Sequence, residues 1–194
     1  VKNNIVYILG GATYPPTVSL NSVYMGALNI DGVVTSWVAI NNLPTPSSLG
    51  AATVVGDKLY FAGGFNNFGE NADIYTATIN PDGAIGNWTM AGMLPEPMDG
   101  FGMVENGDNL IIVGGRNSGI FLNKTYKSAI NADGTLAGWQ ETNPLPEAVH
   151  RSGVIRIGST LLSIGGDNGG SFLDKIYYAD INPDATLGPW SLSS

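Results

Sequence analysis

The sequence predicts an all-β protein made of four consecutive copies of one four-stranded antiparallel unit. Two kinds of aromatic residue recur at a constant spacing of 51 along the 194-residue chain. The tryptophans are Trp37, Trp88, Trp139 and Trp190, and the tyrosines are Tyr24, Tyr75, Tyr126 and Tyr177. Double glycines follow nearly the same rhythm, with a two-residue insertion after Gly11. Self-similarity at this period indicates repeats that bury their faces against one another.

The first predicted strand of each copy is a short apolar run that ends in the double glycine. The runs are 6–9, 59–62, 110–113 and 161–164, and the pairs are Gly10-Gly11, Gly63-Gly64, Gly114-Gly115 and Gly165-Gly166. Continuous apolar runs of this length, bounded by glycine, are typical of strands that are covered on both faces. A variable loop of about ten residues follows, and then a strand around the repeated tyrosine.

A repeated four-residue turn ends the tyrosine strand. Its four copies are 29–32, 80–83, 131–134 and 182–185, with Asn first, Asp third and Gly fourth in all but the last. This composition favours a type I turn closed by a left-handed residue. Ala185 breaks the pattern, so we expect either a left-handed alanine at a cost of about 1 kcal/mol or a different turn.

The remaining two strands complete the unit. One carries an apolar residue three places before the tryptophan and then the tryptophan itself. The other follows a Leu-Pro loop, at 51–55, 102–104 and 153–157, and a tight turn at Gly56, Gly107 or Gly158 returns it to the double-glycine strand. Only three copies of this strand are present, against four of the others.

A single sheet of this kind cannot bury both of its faces, and a period near 50 residues favours the blades of a β-propeller. The sequence resembles the kelch family over essentially its whole length, because kelch blades also run from a strand ending in Gly-Gly to Tyr and then to Trp. His150-Arg151 is similar to the histidine and basic residue that often precede the first strand of a kelch blade. The resemblance implies a ring of six or seven blades.

We therefore interpret residues 1–194 as one kelch-like propeller region, with repeats of approximately 1–49, 50–100, 101–151 and 152–194. Because one strand is missing from the count, we expect this region to be part of a larger ring. A four-bladed ring with one incomplete blade and two chains that complete each other are the alternatives. Both further blades of the same polypeptide and self-assembly are therefore expected as partners.

Composition excludes several classes of function. A net charge of −8 with dispersed basic residues disfavours nucleic acid as a partner. The absence of cysteine excludes thiolate metal sites and cysteine nucleophiles. No apolar run reaches the length of a membrane span and the first residues lack a signal-peptide layout, so we expect no direct membrane insertion. Low lysine with abundant Asn, Gly, Ser and Thr resembles bacterial or phage surface proteins and suggests an extracellular, cell-surface or virion-surface location.

Candidate ligand-binding residues lie in the loops of one rim, where propellers usually bind. They are Phe65, Asn67, Phe68, Glu70, Asp99, Arg116, Asn117, His150, Arg151, Asp167 and Asn168. Aromatic faces beside amides and carboxylates are suited to stack on and hydrogen-bond a sugar. The alternative is that the aromatic loop residues pack under the blades. We assign the repeated Trp and Tyr to packing, because a position filled identically in each copy is best explained by contacts between blades.

We expect no catalytic residue and no cofactor. His150 is the single histidine, which excludes an oxidase-like copper site built from two histidines, and a Ser-His-Asp triad would have to pair it with Asp99. The Asp-Gly turns differ in spacing from those of sialidases, which also need three arginines at their site. A calcium site within 167–174 is the one metal option, because this segment is rich in oxygen ligands.

These patterns favour a non-catalytic module that presents loops to a protein or a glycan. Two alternatives stay open. The region is either part of a carbohydrate-active propeller enzyme, sialidase-like or oxidase-like, with its catalytic groups outside these residues, or a subunit of a surface filament or fibre.

Overall fold

The structure is a computed structural model that describes residues 4–15 and 17–193, and this part of the chain is all-β. Its strands form the four antiparallel blades of a β-propeller, as the repeat predicts. No segment of residues 4–15 and 17–193 forms a helix long and apolar enough to cross a membrane.

Each blade occupies one continuous stretch of chain, and short hairpins interrupt three of them. Blade 1 contains β1 (Ile5–Leu9), the hairpin strands β2 (Ala12–Thr13) and β3 (Val18–Ser19), β4 (Val23–Ala27) and β5 (Val38–Ile40). Blade 2 contains β6 (Ala51–Val55), β7 (Lys58–Ala62), the hairpin strands β8 (Phe65–Asn66) and β9 (Gly69–Glu70), β10 (Asp73–Thr78) and β11 (Thr89–Met93). Blade 3 contains β12 (Gly102–Glu105), β13 (Asn109–Val113), the hairpin strands β14 (Arg116–Asn117) and β15 (Ile120–Phe121), β16 (Thr125–Ala129) and β17 (Gln140–Thr142). Blade 4 contains β18 (Gly153–Ile157), β19 (Thr160–Ile164), β20 (Ile176–Asp180) and β21 (Ser191–Leu192).

The strand order shows which blade has fewer strands than the others. Blades 2, 3 and 4 each have four strands in up-and-down order, whereas blade 1 has the three-stranded order β1-β4-β5. The strand after each Leu-Pro loop pairs with the double-glycine strand that follows it, so it is the first strand of the next blade. Because β12 lies against both β6 and β18, these strands line the centre of the ring. Within residues 4–15 and 17–193, blade 1 therefore has no inner strand.

Three apolar clusters hold successive blades together. Each cluster joins one face of a blade to the opposite face of the next. Val23 of blade 1 shares a cluster with Phe61 of blade 2, Tyr60 of blade 2 with Ile112 of blade 3, and Val113 of blade 3 with Leu161 of blade 4. The core of this propeller is thus a series of joints between sheets.

The repeated tryptophans belong to these joints. The indole Nε1 of Trp88 donates a hydrogen bond to the carbonyl oxygen of Asn41 in the preceding blade, at 3.1 Å. Trp139 reaches Met93 and Trp190 reaches Asn143 in the same way, at 2.8 and 2.9 Å. Each tryptophan lies just before the outer strand of its blade rather than within it. The assignment of the repeated tryptophans to packing between blades is confirmed for Trp88, Trp139 and Trp190, whereas Trp37 of the first blade is 43% exposed.

The predicted turns are confirmed, including the one that lacks glycine. Gly32, Gly83 and Gly134 are left-handed, with φ of 76°, 88° and 92°, and Ala185 adopts φ of 64° at the fourth equivalent place. The Ala185 amide still donates to the Asn182 carbonyl oxygen, at 2.8 Å. The Ala185 side chain is 1% exposed, so burial of its methyl group offsets part of the backbone strain.

Candidate functional site

One rim of the propeller carries the hairpins that follow the double glycines and the loops that follow each Leu-Pro. A backbone bridge joins a loop to a hairpin at the same place in three successive blades. The pairs are Ser48 with Phe65, Asp99 with Arg116, and His150 with Asp167. The three pairs are related by the 51-residue repeat, so their side chains project at equivalent positions around the rim.

The double glycine allows the chain to turn from the strand into the hairpin. Gly114 has φ of 67°, and a Cβ there would lie 2.2 Å from the carbonyl oxygen of Val149. No other residue fits this combination of a left-handed backbone and a close neighbouring chain. The glycines thus fix the direction in which each hairpin leaves its blade.

A buried polar network crosses the joint between blades 3 and 4. The His150 ring places Nε2 3.1 Å from Oδ1 of Asp99 and Nδ1 3.3 Å from Oδ2 of Asp167. His150 and Asp99 are 1% and 0% exposed, and the rings of Phe121 and His150 make a T-shaped contact with 5.4 Å between their centroids. Since both ring nitrogens face carboxylates, neither is directed at a serine hydroxyl. The network therefore holds two blades together and does not form a Ser-His-Asp triad.

Arg116 extends this network toward blade 2. Its Nη2 donates to Oδ2 of Asp99 at 2.8 Å, and its Nε lies 4.0 Å from the carboxylate of Glu70. The Arg116 Nε atom is buried and has no hydrogen-bond partner within the described residues. The Glu70 carboxylate therefore stabilises the guanidinium charge by electrostatic attraction and not by a hydrogen bond. Charged groups from three blades are thus connected at this rim.

Gly100 makes room for the histidine of the next blade. It is left-handed, with φ of 60°, and a Cβ there would lie 2.2 Å from the His150 ring. The equivalent residues Leu49 and Arg151 are also left-handed, with φ of 57° and 58°. The Gly100 amide donates to Leu49 and the Arg151 amide donates to Gly100, so a backbone ladder runs between successive loops.

Two equivalent ion-pair clusters anchor the Leu-Pro loops to the tyrosine strands. Lys175 and Tyr177 both donate to Oε1 of Glu147, and Lys124 donates to Oε1 of Glu96 at 2.8 Å. The hydrogen bond from Lys175 lowers the pKa of Glu147 below its ordinary value of 4.5, and the same bond raises the pKa of Lys175 above 10.5. Burial opposes ionisation of Glu96, but hydrogen bonds from Lys124 and Asn117 lower its pKa overall. Both clusters therefore stay ionised near neutral pH.

Large apolar side chains project from the hairpin region of every blade. Phe68 is 99% exposed, Phe172 is 92% exposed, Tyr14 is 88% exposed and Ile120 is 67% exposed. We call these four residues the rim tips. Two of them, Phe68 and Phe172, are aromatic residues of the loops, and for such residues the alternative expectation was packing under the blades. Phe68 and Phe172 do not pack there, whereas Phe121 does.

The structure brings together five of the sequence-predicted ligand-binding residues in the buried network. They are Glu70, Asp99, Arg116, His150 and Asp167. Phe65 is half-buried beside Ser48, Phe68 is a rim tip and Arg151 is exposed. Their roles as ligand contacts stay predictions.

The three predicted asparagines hold the rim together. Asn67 accepts a hydrogen bond from the Ser19 amide of blade 1 at 3.0 Å. Asn117 and Asn168 donate to Glu96 and Glu147, at 2.8 and 3.2 Å. Asn67 thus already uses its side-chain oxygen within the protein, and Asn117 and Asn168 use their side-chain N–H groups, which leaves fewer polar groups for a sugar.

Sequence reasoning missed Tyr14 and the two glutamate clusters. Tyr14 lies in the loop with the insertion, where the repeat loses its alignment. The clusters were detectable, because Glu96 and Glu147 are 51 residues apart, as are Lys124 and Lys175. No three His, Asp or Glu side chains converge to form a metal site in 4–15 and 17–193, and the calcium site stays a prediction.

Comparisons with known proteins agree with the fold. No protein-family model matches the chain. Over 116 residues the chain is 28% identical to Kelch-like protein 40b of Danio rerio, a match that covers 57% of this chain and 18% of that protein. The chain thus spans about a fifth of the length of this relative. The four-bladed architecture is that of a β-propeller, and the sequence is similar to that of a kelch-like protein.

Proposed function

We propose that this chain is a non-catalytic binding module that docks a protein on the rim tips. The observation that carries the proposal is the exposure of the rim tips, one large apolar side chain from each blade on the same rim. Isolated apolar residues are normal on a surface, but a repeated set on one rim is typical of an interaction site. The similarity to a kelch-like protein supports the same function.

The surroundings of the rim tips suit a rigid docking surface. Glycines and backbone bridges fix each hairpin, and the network around His150 joins the loops beneath them. A pre-organised surface loses little conformational entropy on binding. Aromatic residues held on such a surface are frequent sources of binding energy at protein interfaces.

A glycan is the less favoured ligand. Sugar sites combine an aromatic face with free polar groups, yet Asn117 and Asn168 already donate to glutamates of their own blades. The large exposed apolar area of the rim tips favours a protein surface that buries them.

The test uses a rim variant, Tyr14→Ser, Phe68→Ser, Ile120→Ser and Phe172→Ser combined. Immobilised wild-type chain is expected to retain specific proteins from the source organism, and the rim variant is expected to retain at least tenfold less. Ile30→Ser is the matched control, because Ile30 is 100% exposed but lies in a turn of the opposite rim. Unchanged circular dichroism shows that each variant is folded.

Equal retention of the same proteins by the wild type and the rim variant would contradict the proposal. A glycan array provides the second readout. Binding to immobilised glycans that is lost in the rim variant, without retention of any protein, would favour the glycan alternative instead.

A further inference from the structure

The clusters of Glu96 with Lys124 and of Glu147 with Lys175 show how this fold holds an ammonium group. In each cluster a lysine that directly precedes the tyrosine strand lies against a glutamate of the Leu-Pro loop, with N–O distances of 2.8 and 2.6 Å. The two lysine side chains are 39% and 40% exposed, so solvent reaches them. The clusters therefore define a cation position that recurs with the 51-residue repeat and is accessible from outside the protein.

Blade 2 has no lysine at this position. Asp73 stands where blades 3 and 4 have Lys124 and Lys175, and Thr45 stands where they have the glutamate. The backbone is the same in all three blades, because the carbonyl oxygen of each of these strand residues accepts a hydrogen bond from the first glycine of its double glycine. In blade 2 the carboxylate thus lies on the strand instead of the loop, and the lysine is replaced.

The Asp73 carboxylate is only partly satisfied. Its Oδ2 atom accepts a hydrogen bond from the Tyr75 hydroxyl at 2.9 Å, and its Oδ1 atom accepts none from residues 4–15 and 17–193. No lysine, arginine or histidine of these ranges forms an ion pair with it. Burial raises the pKa of Tyr75, and the hydrogen bond to Asp73 raises it further, so the hydroxyl stays protonated. A half-buried carboxylate with one free oxygen is suited to accept a cation.

This open cation position lies next to a rim tip. Phe68 is at the tip of the hairpin that leads into the strand of Asp73, and it is 99% exposed. The Phe68 backbone amide donates to Oδ1 of Asn66 at 2.8 Å. In blade 3 the equivalent asparagine, Asn117, instead donates to Glu96 and so helps to close the cluster. One hairpin of blade 2 thus combines an exposed aromatic ring with an uncompensated carboxylate.

We propose, in extension of the proposed function, that the protein docked on the rim tips inserts a lysine or arginine side chain between Thr45 and Asp73. Its cationic group would occupy the position that the lysine ammonium occupies in blades 3 and 4. The charge of the site specifies this occupant, because an unpaired carboxylate at an interface favours a partner of opposite charge. Covering of Phe68 by the partner excludes water from the pair, which strengthens the attraction.

Selection of random short peptides on the immobilised 194-residue chain tests the inference. We expect the selected peptides to carry a lysine or arginine near an apolar residue. We expect Asp73→Asn to bind these peptides at least tenfold more weakly than the wild type, as measured by fluorescence anisotropy. Asparagine has nearly the same shape and still accepts from Tyr75, so circular dichroism should show an unchanged fold.

Two further variants separate the cation position from the overall charge. Thr45→Glu combined with Asp73→Lys copies the residues of blade 3, has the same net charge as Asp73→Asn, and fills the position with the protein's own ammonium group. We expect it to bind the selected peptides as weakly as Asp73→Asn does. Asp174→Asn removes an exposed carboxylate from blade 4 and should bind them like the wild type.

The peptides provide the decisive comparison. Replacement of their basic residue by norleucine should weaken binding to the wild type at least tenfold but have little effect on binding to Asp73→Asn. Selected peptides without an excess of basic residues, or an equal effect of norleucine on both proteins, would overturn the inference. If such peptides still lost affinity for the rim variant, docking on the rim tips would stand and only the basic residue would be wrong. Failure to select any peptide that depends on the rim tips would contradict the proposed function as well.

Discussion

Replacement of Trp190 by alanine is expected to lower the free energy of unfolding by about 3–5 kcal/mol. Trp190 is 9% exposed, lies in the apolar cluster between blades 3 and 4, and donates its indole N–H to Asn143. Removing the ring leaves a cavity in this joint and takes away one of the two hydrogen bonds that the Asn143 carbonyl oxygen accepts, the other coming from the Thr125 hydroxyl. Chemical denaturation followed by circular dichroism measures the change.

Trp37→Ala is the matched control, because Trp37 occupies the same position of the repeat but belongs to the first blade and is 43% exposed. We expect this change to cost less than about 1.5 kcal/mol, since less of the ring is removed from water. Equal losses at the two positions would show that the tryptophans do not act through the joints between blades.

His150→Leu is expected to destabilise the protein by about 3 kcal/mol. The substitution leaves the carboxylate of Asp99, which is 0% exposed, without the donor at its Oδ1 atom. A buried charge that loses a partner costs more than the pair contributes when intact, because water cannot reach it. Urea denaturation at neutral pH gives the size of the loss.

The double variant His150→Leu/Asp99→Ser separates this effect from lost packing. Serine already occupies the equivalent position of the first repeat, at Ser48, so the backbone accepts it there. The double variant also takes the Asp99 partner from Arg116, but the Arg116 side chain is 26% exposed and keeps the Glu70 carboxylate at 4.0 Å. Since the buried carboxylate is gone, we expect at least half of the stability lost in His150→Leu to return. A double variant less stable than His150→Leu would mean that the loss comes from the missing ring and not from the unpaired charge.

The fold was predictable because the same local pattern occurs four times. Apolar runs, double glycines and Asn-x-Asp-Gly turns each have a local physical cause. Because the same pattern occurs in several copies, each strand assignment is supported by more than one segment of the chain. The missing inner strand of blade 1 was also visible as an uneven count. The hairpins β8-β9 and β14-β15 were not predicted, because strands of two residues leave no periodicity to detect.

The candidate site was predictable only in part. The repeat spacing put Asp99 and His150 at equivalent positions in neighbouring blades, but it did not show that the two side chains point toward each other. The exposure of Phe68 and Phe172 depends on the direction in which a hairpin leaves its blade, which the glycine geometry sets. Exposure of the outer faces of blades 1 and 4 depends on which sheet packs beside them, and sequence periodicity carries no information on that point.

Hydrogen exchange at the tryptophan indoles, followed by NMR, tests most directly whether the repeats are blades held together by these rings. We predict that the indole protons of Trp88, Trp139 and Trp190 exchange much more slowly than that of free indole, because each is bonded to the neighbouring blade. Exchange of all three at the rate of free indole would contradict the packing of the blades through these rings.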